Sequence, residues 1–311
     1  MTPCLFHYDI ADVAPYINWV YFFHAWGFEP RYAAVSRVHG CYACRAAWRA
    51  TFPVADRAKA SEAARLFDDA QHLLDQLARE ALHTHALLLL APCNADGDDI
   101  ILYADDAVCH THMAAAKPVF RLAFLRQQQP LPGEPCLCLA DFVRPAPTPD
   151  RIGIFAAAAD AAIEERHPDD QYRHLLYQTL ADRLAEATAE CLHMHVRKEL
   201  WGYAPDEHLT MADLHAERFQ GIRPAVGYPS LPDQSLIFDI DRLLHLADIG
   251  ISLTTSGAMR PHAAVSGFML AHPQARHFAV GRITDEQLAD YARRRNTTPE
   301  ALRPFLARCL M

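Results

Sequence analysis

No apolar run in these 311 residues approaches the roughly 18 that a transmembrane helix needs, so none is expected. Met1 to Ile10 lacks a basic start followed by an apolar core, so no signal peptide is expected and the chain reads as cytoplasmic. Glycine is sparse, at 12 residues, and nowhere forms a glycine-rich loop between a strand and a helix. That argues against a doubly wound methyltransferase and against a P-loop. Positive charge is short as well: Lys and Arg total 29 against 38 Asp and Glu, for a net charge of -9. A chain of that balance is not built for phosphate backbones, so neither nucleic acid nor a membrane is expected as a partner.

Metal signatures are also thin. There is no HExxH. Nine cysteines include one CxxC, Cys41-Tyr-Ala-Cys44, and one CxC, Cys136-Leu-Cys138. A structural zinc site takes four ligands, and no second CxxC stands at a suitable distance, although His39 supplies a third donor. The odd count and the cytoplasmic reading argue against a disulfide framework. Reduced thiols and no metal are therefore the expectation. Among 18 histidines, His110-x-His112 and His193-x-His195 form pairs. Residues two apart on a helix point to different faces, so these read as surface residues.

What is present is a large hydrophobic share, 51%, with 22% charged residues, enough for a sizeable core. Aromatics crowd residues 12–28, which reads as a buried first segment or a lid. Residues 29–60 look irregular, an insertion or an interaction surface. Leu66, Ala70, Leu73, Leu74 and Leu77 recur at helical spacing, predicting a helix over 61–82. Ala86–Ala91, a turn at Asn94–Gly97, and Asp99–Tyr103 read as strand, turn and strand. A helix is expected around 111–126, then strands at 137–143 and 152–158. The longest helix spans 169–200, and helices at 236–246 and 284–294 and one starting at Thr298-Pro299 follow. Ile249–Thr255 reads as a strand. Residues 264–271 and 277–283 read as a half-exposed hairpin. Strands and helices mix without βα alternation, which predicts an α+β fold with a largely antiparallel sheet.

One stretch is unlike the rest: Gly221-Ile222-Arg223-Pro224-Ala225-Val226-Gly227-Tyr228-Pro229. Proline and glycine set its backbone. Its arginine offers a planar fork of donors, and its tyrosine a flat face with a polar tip. On composition alone it reads as a proline-rich connector with a surface arginine. Read as a motif, Arg223 to Pro229 resembles the Arg-Pro-Ala-x-Gly-Tyr-Pro signature of the activation domain of cobalamin-dependent methionine synthase. The blocks Leu180–Ala187, Trp201–Pro205, Ser256–Met259, Val265–Phe268 and Ala271–Pro273 also resemble that family, in its order.

The resemblance implies a twisted antiparallel sheet flanked by helices. It implies residues 61–311 as an S-adenosylmethionine-binding domain, with residues 1–60 an N-terminal segment and insertion packing on it, one structural domain overall. It implies ligand contacts from Arg223, Pro224, Ala225 and Tyr228, from Glu186 on the long helix, and from Glu217. His277 and Phe278 stand where the family has two adjacent aromatics, and Asn18 where it has an acidic residue. Reactivation in this family is reductive methylation of a cob(II)alamin, with an electron from a flavodoxin-type reductase. The Asp-x-His-x-x-Gly motif that ligates cobalt is missing: Asp213-Leu-His215 starts it, but Arg218 replaces the glycine. Cobalamin is therefore expected on a partner, a methionine synthase chain or related corrinoid protein, with this chain a stand-alone module acting in trans. The alternatives are an activator of another corrinoid methyltransferase and a non-catalytic S-adenosylmethionine-binding regulator.

Overall fold

The structure, a computed structural model, describes residues 1–104, 117–130 and 132–311. Its centre is an antiparallel sheet organised on two strands, β2 (His83–Asp96) and β5 (Asp150–Ala159), which pair along ten positions from Thr84↔Ala159 to Cys93↔Asp150. The other edge of β2 is shared. Its first half pairs with β1 (Cys4–Asp9) and its last residues with β3 (Asp99–Tyr103), which pairs in turn with β4 (Pro118–Ala123). On the far side β5 pairs with β8 (Ala264–Met269). A separate ribbon joins β6 (Ser252–Leu253) to β7 (Met259–Arg260).

Both faces of this sheet are covered, which explains the unbroken apolar run at Leu87–Leu90. Ala86 and Leu88 on β2, with Phe155 and Ala157 on β5, join one core. Leu87, Leu89, Ile152, Ile154, Ala156 and Ala158 point the other way into a second. Antiparallel strands commonly alternate apolar and polar residues because one face meets water. Here the alternation selects which core a residue enters.

The first core is closed by the N-terminal helices and by α6. After β1 come α1 (Ile10–Val13), a 3-10 turn at Ala14–Tyr16 and α2 (Trp19–Ala25). Phe22 and Phe23 are wholly buried, and Trp19 packs edge-on against Phe67 with ring centroids 4.7 Å apart. The aromatic density of residues 12–28 thus anchors α2 to α4 (Arg57–Arg79), the helix expected at 61–82. Residues 29–60 are more ordered than their sequence suggests. They form a 3-10 stretch (Pro30–Arg37), α3 (Tyr42–Ala50) and a 3-10 turn (Val54–Asp56), and Tyr32, Val35 and Phe52 join the core.

After β5, α5 (Ala161–Glu164) leads to α6 (Gln171–His195), a 25-residue helix free of glycine and proline. Asp170 caps it by accepting the Arg173 N–H at 3.1 Å. Lying between sheet and N-terminal helices, its second half is buried on most sides, and Thr188 reaches Thr84 on β2 at 2.6 Å. A π turn, Val196–Leu200, ends it. Then come α7 (Met211–His215), α8 (Leu236–Leu244) on the second core, α9 (Asp285–Arg294) and α10 (Pro299–Leu306).

Several expectations are corrected. The helix expected around 111–126 lies partly outside the described residues, and Pro118–Ala123 is instead strand β4. Residues 137–143 hold a 3-10 turn at Leu139–Phe142, capped by Asp141, and not a strand. Only Ser252–Leu253 of the strand at 249–255 pairs. The expected half-exposed hairpin is not seen among the described residues: β8 is buried on both faces, and residues 277–283 form an irregular segment that turns at Gly281 and makes a single bridge, from Ile283 to Leu310. Among the described residues no helix is long and apolar enough to cross a membrane.

Candidate functional site

The loop over 221–230 lies along the outer edge of β8. Ile222 and Leu270 exchange N–H···O bonds of 2.9 and 3.0 Å, Phe268 N–H donates to the Pro224 carbonyl at 3.0 Å, and Val226 N–H donates to Ser266 O at 2.9 Å. The contact is so close that only glycine fits opposite it. A Cβ on Gly267 would stand 2.1 Å from the Pro224 oxygen and 2.8 Å from Ala225 Cα. Gly227, at φ +86, turns the chain back, and its N–H donates to Leu231 O. On composition alone this stretch reads as a proline-rich connector. Its backbone pairing makes it an irregular extension of the sheet.

Held there, Arg223 points at α6. Its Nη2 donates to Glu190 Oε2 at 3.1 Å and its Nη1 to His193 Nδ1 at 3.2 Å. Glu190 and His193 are three residues apart on one helix face, and Glu186 precedes Glu190 by one turn. His193 is wholly buried, a correction to the surface reading, and its Nε2 lies 3.1 Å from the Tyr203 hydroxyl. Burial, then the charges of Arg223 and Arg197, hold its pKa well below the usual value. It is therefore neutral, with Nδ1 accepting from Arg223 and Nε2–H donating to Tyr203. Behind it, Arg197 stacks on Phe219, 4.1 Å from the ring centroid, and is clasped by both carboxylate oxygens of Glu207.

Between the loop, α6 and α7 lies a cavity of about 410 Å³. Arg223, Ala225 and Tyr228 line it from the loop, Glu186 and Glu190 from α6, Glu217 from the end of α7, and Asn18 from the start of α2. His277 and Phe278 close it from the irregular segment that follows β8. That segment is laid along the loop by the bond from Val280 N–H to Pro229 O, 2.9 Å. Eight of the nine residues expected at a ligand site therefore face one space. Pro224 does not: its carbonyl turns to β8 and holds the loop down.

Local structure explains how each gets there. Asn18 is the N-cap of α2, its Oδ1 accepting the Val20 N–H at 3.1 Å, so its acceptor is already engaged. Glu217 follows α7 at φ 53, a left-handed conformation that costs a non-glycine residue energy and turns its side chain back toward His277, 3.9 Å away. Asp213 and His215, the residues that begin like a cobalt motif, have local tasks. Asp213 closes a capping box with Thr210 and pairs with Arg218, while the His215 ring nitrogen meets the Tyr16 carbonyl at 3.1 Å.

The electrostatics are mixed in sign. Three carboxylates and Arg223 and Arg183 share the wall. The charge of Glu186 beside the Tyr228 hydroxyl, 3.5 Å away, raises that phenol's pKa, with burial adding to it. Burial lowers the His277 pKa, Glu217 opposes the shift and Arg223 adds to it. Tyr21 and Tyr228 stay more than half exposed at the cavity. Sequence reasoning did not single out Tyr21, Arg183, Leu214, His215 or Val265 as site residues. Arg183 and Glu190 carry a usable signal, standing one turn before and one turn after Glu186 on the same helix.

A family model described as the activation domain of vitamin B12-dependent methionine synthase matches residues 9–296. Among solved structures, the crystal structure of the MetH reactivation domain bound to AdoHcy superposes with a TM-score of 0.83 at 36% sequence identity. The match covers 100% of this chain and 90% of that one. Fold, loop and sequence blocks agree, and the chain belongs to the family of activation domains of vitamin B12-dependent methionine synthase.

Proposed function

We propose that the cavity binds S-adenosylmethionine and presents its methyl group to a cobalamin carried by a cobalamin-dependent methionine synthase acting as partner, returning an inactive cob(II)alamin to the methylated state. The observation that carries this reading is a pair of unmet hydrogen-bonding groups on one wall. A guanidinium has five N–H donors, and Arg223 spends one on His193 and one on Glu190, leaving three among the described contacts. Glu190 Oε1 is buried with no hydrogen-bond partner among the described residues. A free fork of donors beside an unpaired carboxylate oxygen fits an amino acid head group, carboxylate to Arg223 and ammonium to Glu190. The solved relative bound to AdoHcy supports the same ligand class.

The remaining wall fits the rest of that ligand. Tyr228 and Phe278 offer flat faces for a purine or ribose. Glu186 and Glu217 set a negative potential for the sulfonium, and Ala225 presents its main chain. A volume of about 410 Å³ falls in the range of about 300–1,000 Å³ typical of small-molecule sites.

The cofactors would supply the chemistry: bound S-adenosylmethionine would offer an electrophilic methyl group, and a partner's cobalamin, reduced by one electron from a flavodoxin-type reductase, would accept it and leave S-adenosylhomocysteine. No general acid or base is called for. The chain's contribution is to hold the ligand's two ends so that the methyl faces outward. Tyr21 and Tyr228, exposed at the cavity, offer apolar surface for a docked corrin-bearing partner.

Calorimetric titration tests the reading, with S-adenosylmethionine and S-adenosylhomocysteine run on the protein and on Arg223→Ala and Arg223→Lys. Losing the charge-assisted contact costs about 2 kcal/mol, or about thirtyfold in affinity. Arg223→Lys keeps the charge but loses the fork, and falls between the two. Absence of saturable binding at millimolar ligand, or equal affinity in all three proteins, rejects the site.

A further inference from the structure

We propose that His39, Cys41 and Cys44 form a second site, a three-ligand centre for a thiophilic d10 cation, Zn2+, with its fourth coordination position open to solvent. All three side chains are exposed, and one donor atom from each lies within 4.8 Å of the others. None of them lines the cavity described above.

The local backbone explains the convergence. Cys41 is the N-cap of α3, with φ -69 and ψ 151, and Cys44 is the third residue of that helix. N-cap and N3 side chains face one another across the first turn, the relation used by a capping box. Here Cys41 Sγ accepts the Cys44 N–H at 3.4 Å. His39 folds back from the other side, its Nδ1 accepting the Cys41 N–H at 3.3 Å, a bond the ring gives up when it turns its lone pair to a metal. Two soft thiols and an imidazole thus sit at the positive end of a nine-residue helix, where thiolates are favoured.

The fit to zinc is geometric. Bonds of about 2.3 Å to sulfur and about 2.0 Å to nitrogen at tetrahedral angles place donor atoms about 3.5–3.8 Å apart, so modest rotamer adjustment closes the cluster. Three protein ligands with one open position is the pattern of exchangeable or reactive zinc rather than of a closed structural centre. The helix beneath is anchored. Arg45 donates to the Val35 carbonyl at 3.0 Å and to Asp68 on α4 at 2.9 Å, and Trp48 packs edge-on against Phe52. Free cysteine is among the most buried residue types and packs as a small hydrophobe. Two exposed thiols that face each other and an imidazole have no such packing role.

The test uses the full chain, stripped of metal with a chelator and kept reduced with a phosphine, and titrated with Co2+ as a spectroscopic probe. Expected are one equivalent of Co2+ per chain, tetrahedral d–d absorption, a thiolate-to-cobalt charge-transfer band, and displacement of all of it by one equivalent of Zn2+. Cys41→Ser retains a good N-cap, so α3 stays folded and circular dichroism is unchanged. Cys41→Ser and Cys44→Ser each lose the charge-transfer intensity of one thiolate, and the double variant binds no cobalt. His39→Ala keeps both thiolates but weakens binding by about tenfold or more. Cobalt bands that persist in the double variant overturn the proposal. Reduced protein that takes no cobalt at stoichiometric concentration also overturns it, and a Cys41–Cys44 disulfide formed in air would then assign the pair as a redox couple instead.

Discussion

Arg223 on the loop and Glu190 on α6 are joined by a 3.1 Å ion pair whose side chains are only 16% and 11% exposed. The pair ties the 221–230 loop to α6, so in the proposed site stability and binding meet in one contact. A double-mutant cycle separates them. Arg223→Ala and Glu190→Ala each cost about 2 kcal/mol by denaturant unfolding, because each strands a partly buried charge, and the double variant costs less than their sum. Strict additivity would show that the two do not interact in solution.

Asn18→Asp tests what the lost charge at α2 does. Aspartate caps a helix as well as asparagine, so the Val20 bond and the fold remain. The added negative charge lies in the cavity wall. Affinity for a cationic sulfonium ligand then rises by about three- to tenfold, read by calorimetry, with a smaller gain at high salt. Unchanged affinity would place the ligand's cationic side elsewhere.

Stability falls in acid because of His193. Its folded pKa is depressed, so below about pH 6.5 the unfolded chain binds a proton that the native chain refuses. Its contribution is therefore intact above about pH 6.5 and lost as pH falls below that value, at up to about 1.4 kcal/mol per pH unit. Urea midpoints at pH 7.5 and 5.5 measure it. His193→Gln removes that part of the slope, and an identical slope in the variant would assign it to other groups.

Gly267→Ala forces the loop off the sheet. With Pro224 O only 2.1 Å from the new Cβ, the backbone has to shift, and overpacking of this kind costs about 1–3 kcal/mol. Thermal unfolding gives that cost. Ligand titration gives a loss larger than the stability change accounts for, since the shift moves Ala225 and Arg223 together. A variant that is less stable yet binds normally would uncouple the loop's docking from the cavity.

Much of the fold was legible where one physical signal dominated. Leu66 to Leu77 repeat at helical spacing and form α4. The turn expected at Asn94–Gly97 falls at Gly97–Asp98, with Asn94–Asp96 still paired in β2 against β3. Leu139–Phe142 misled because an apolar run looks the same in a strand and in a 3-10 turn, and Asp141 capping that turn carries no periodicity. Residues 277–283 misled because a mix of small, apolar and polar residues suits a half-exposed strand and an irregular segment alike. At the site, the loop and Glu186 stood out by motif. The orienting role of His193 did not: its place is set by burial between Arg223 and Tyr203, and a lone histidine in a helix carries no mark of its depth.

The loop over 222–226 also covers the outer edge of β8, since Phe268 and Leu270 give their N–H groups to its carbonyls. An uncovered edge strand is a template for pairing with other chains. The proposed ligand recognition and colloidal behaviour therefore share a backbone. Changes that undock the loop leave an apolar β8 with open hydrogen-bonding groups, so they surface first as aggregation during expression and only then, in whatever stays soluble, as weak binding.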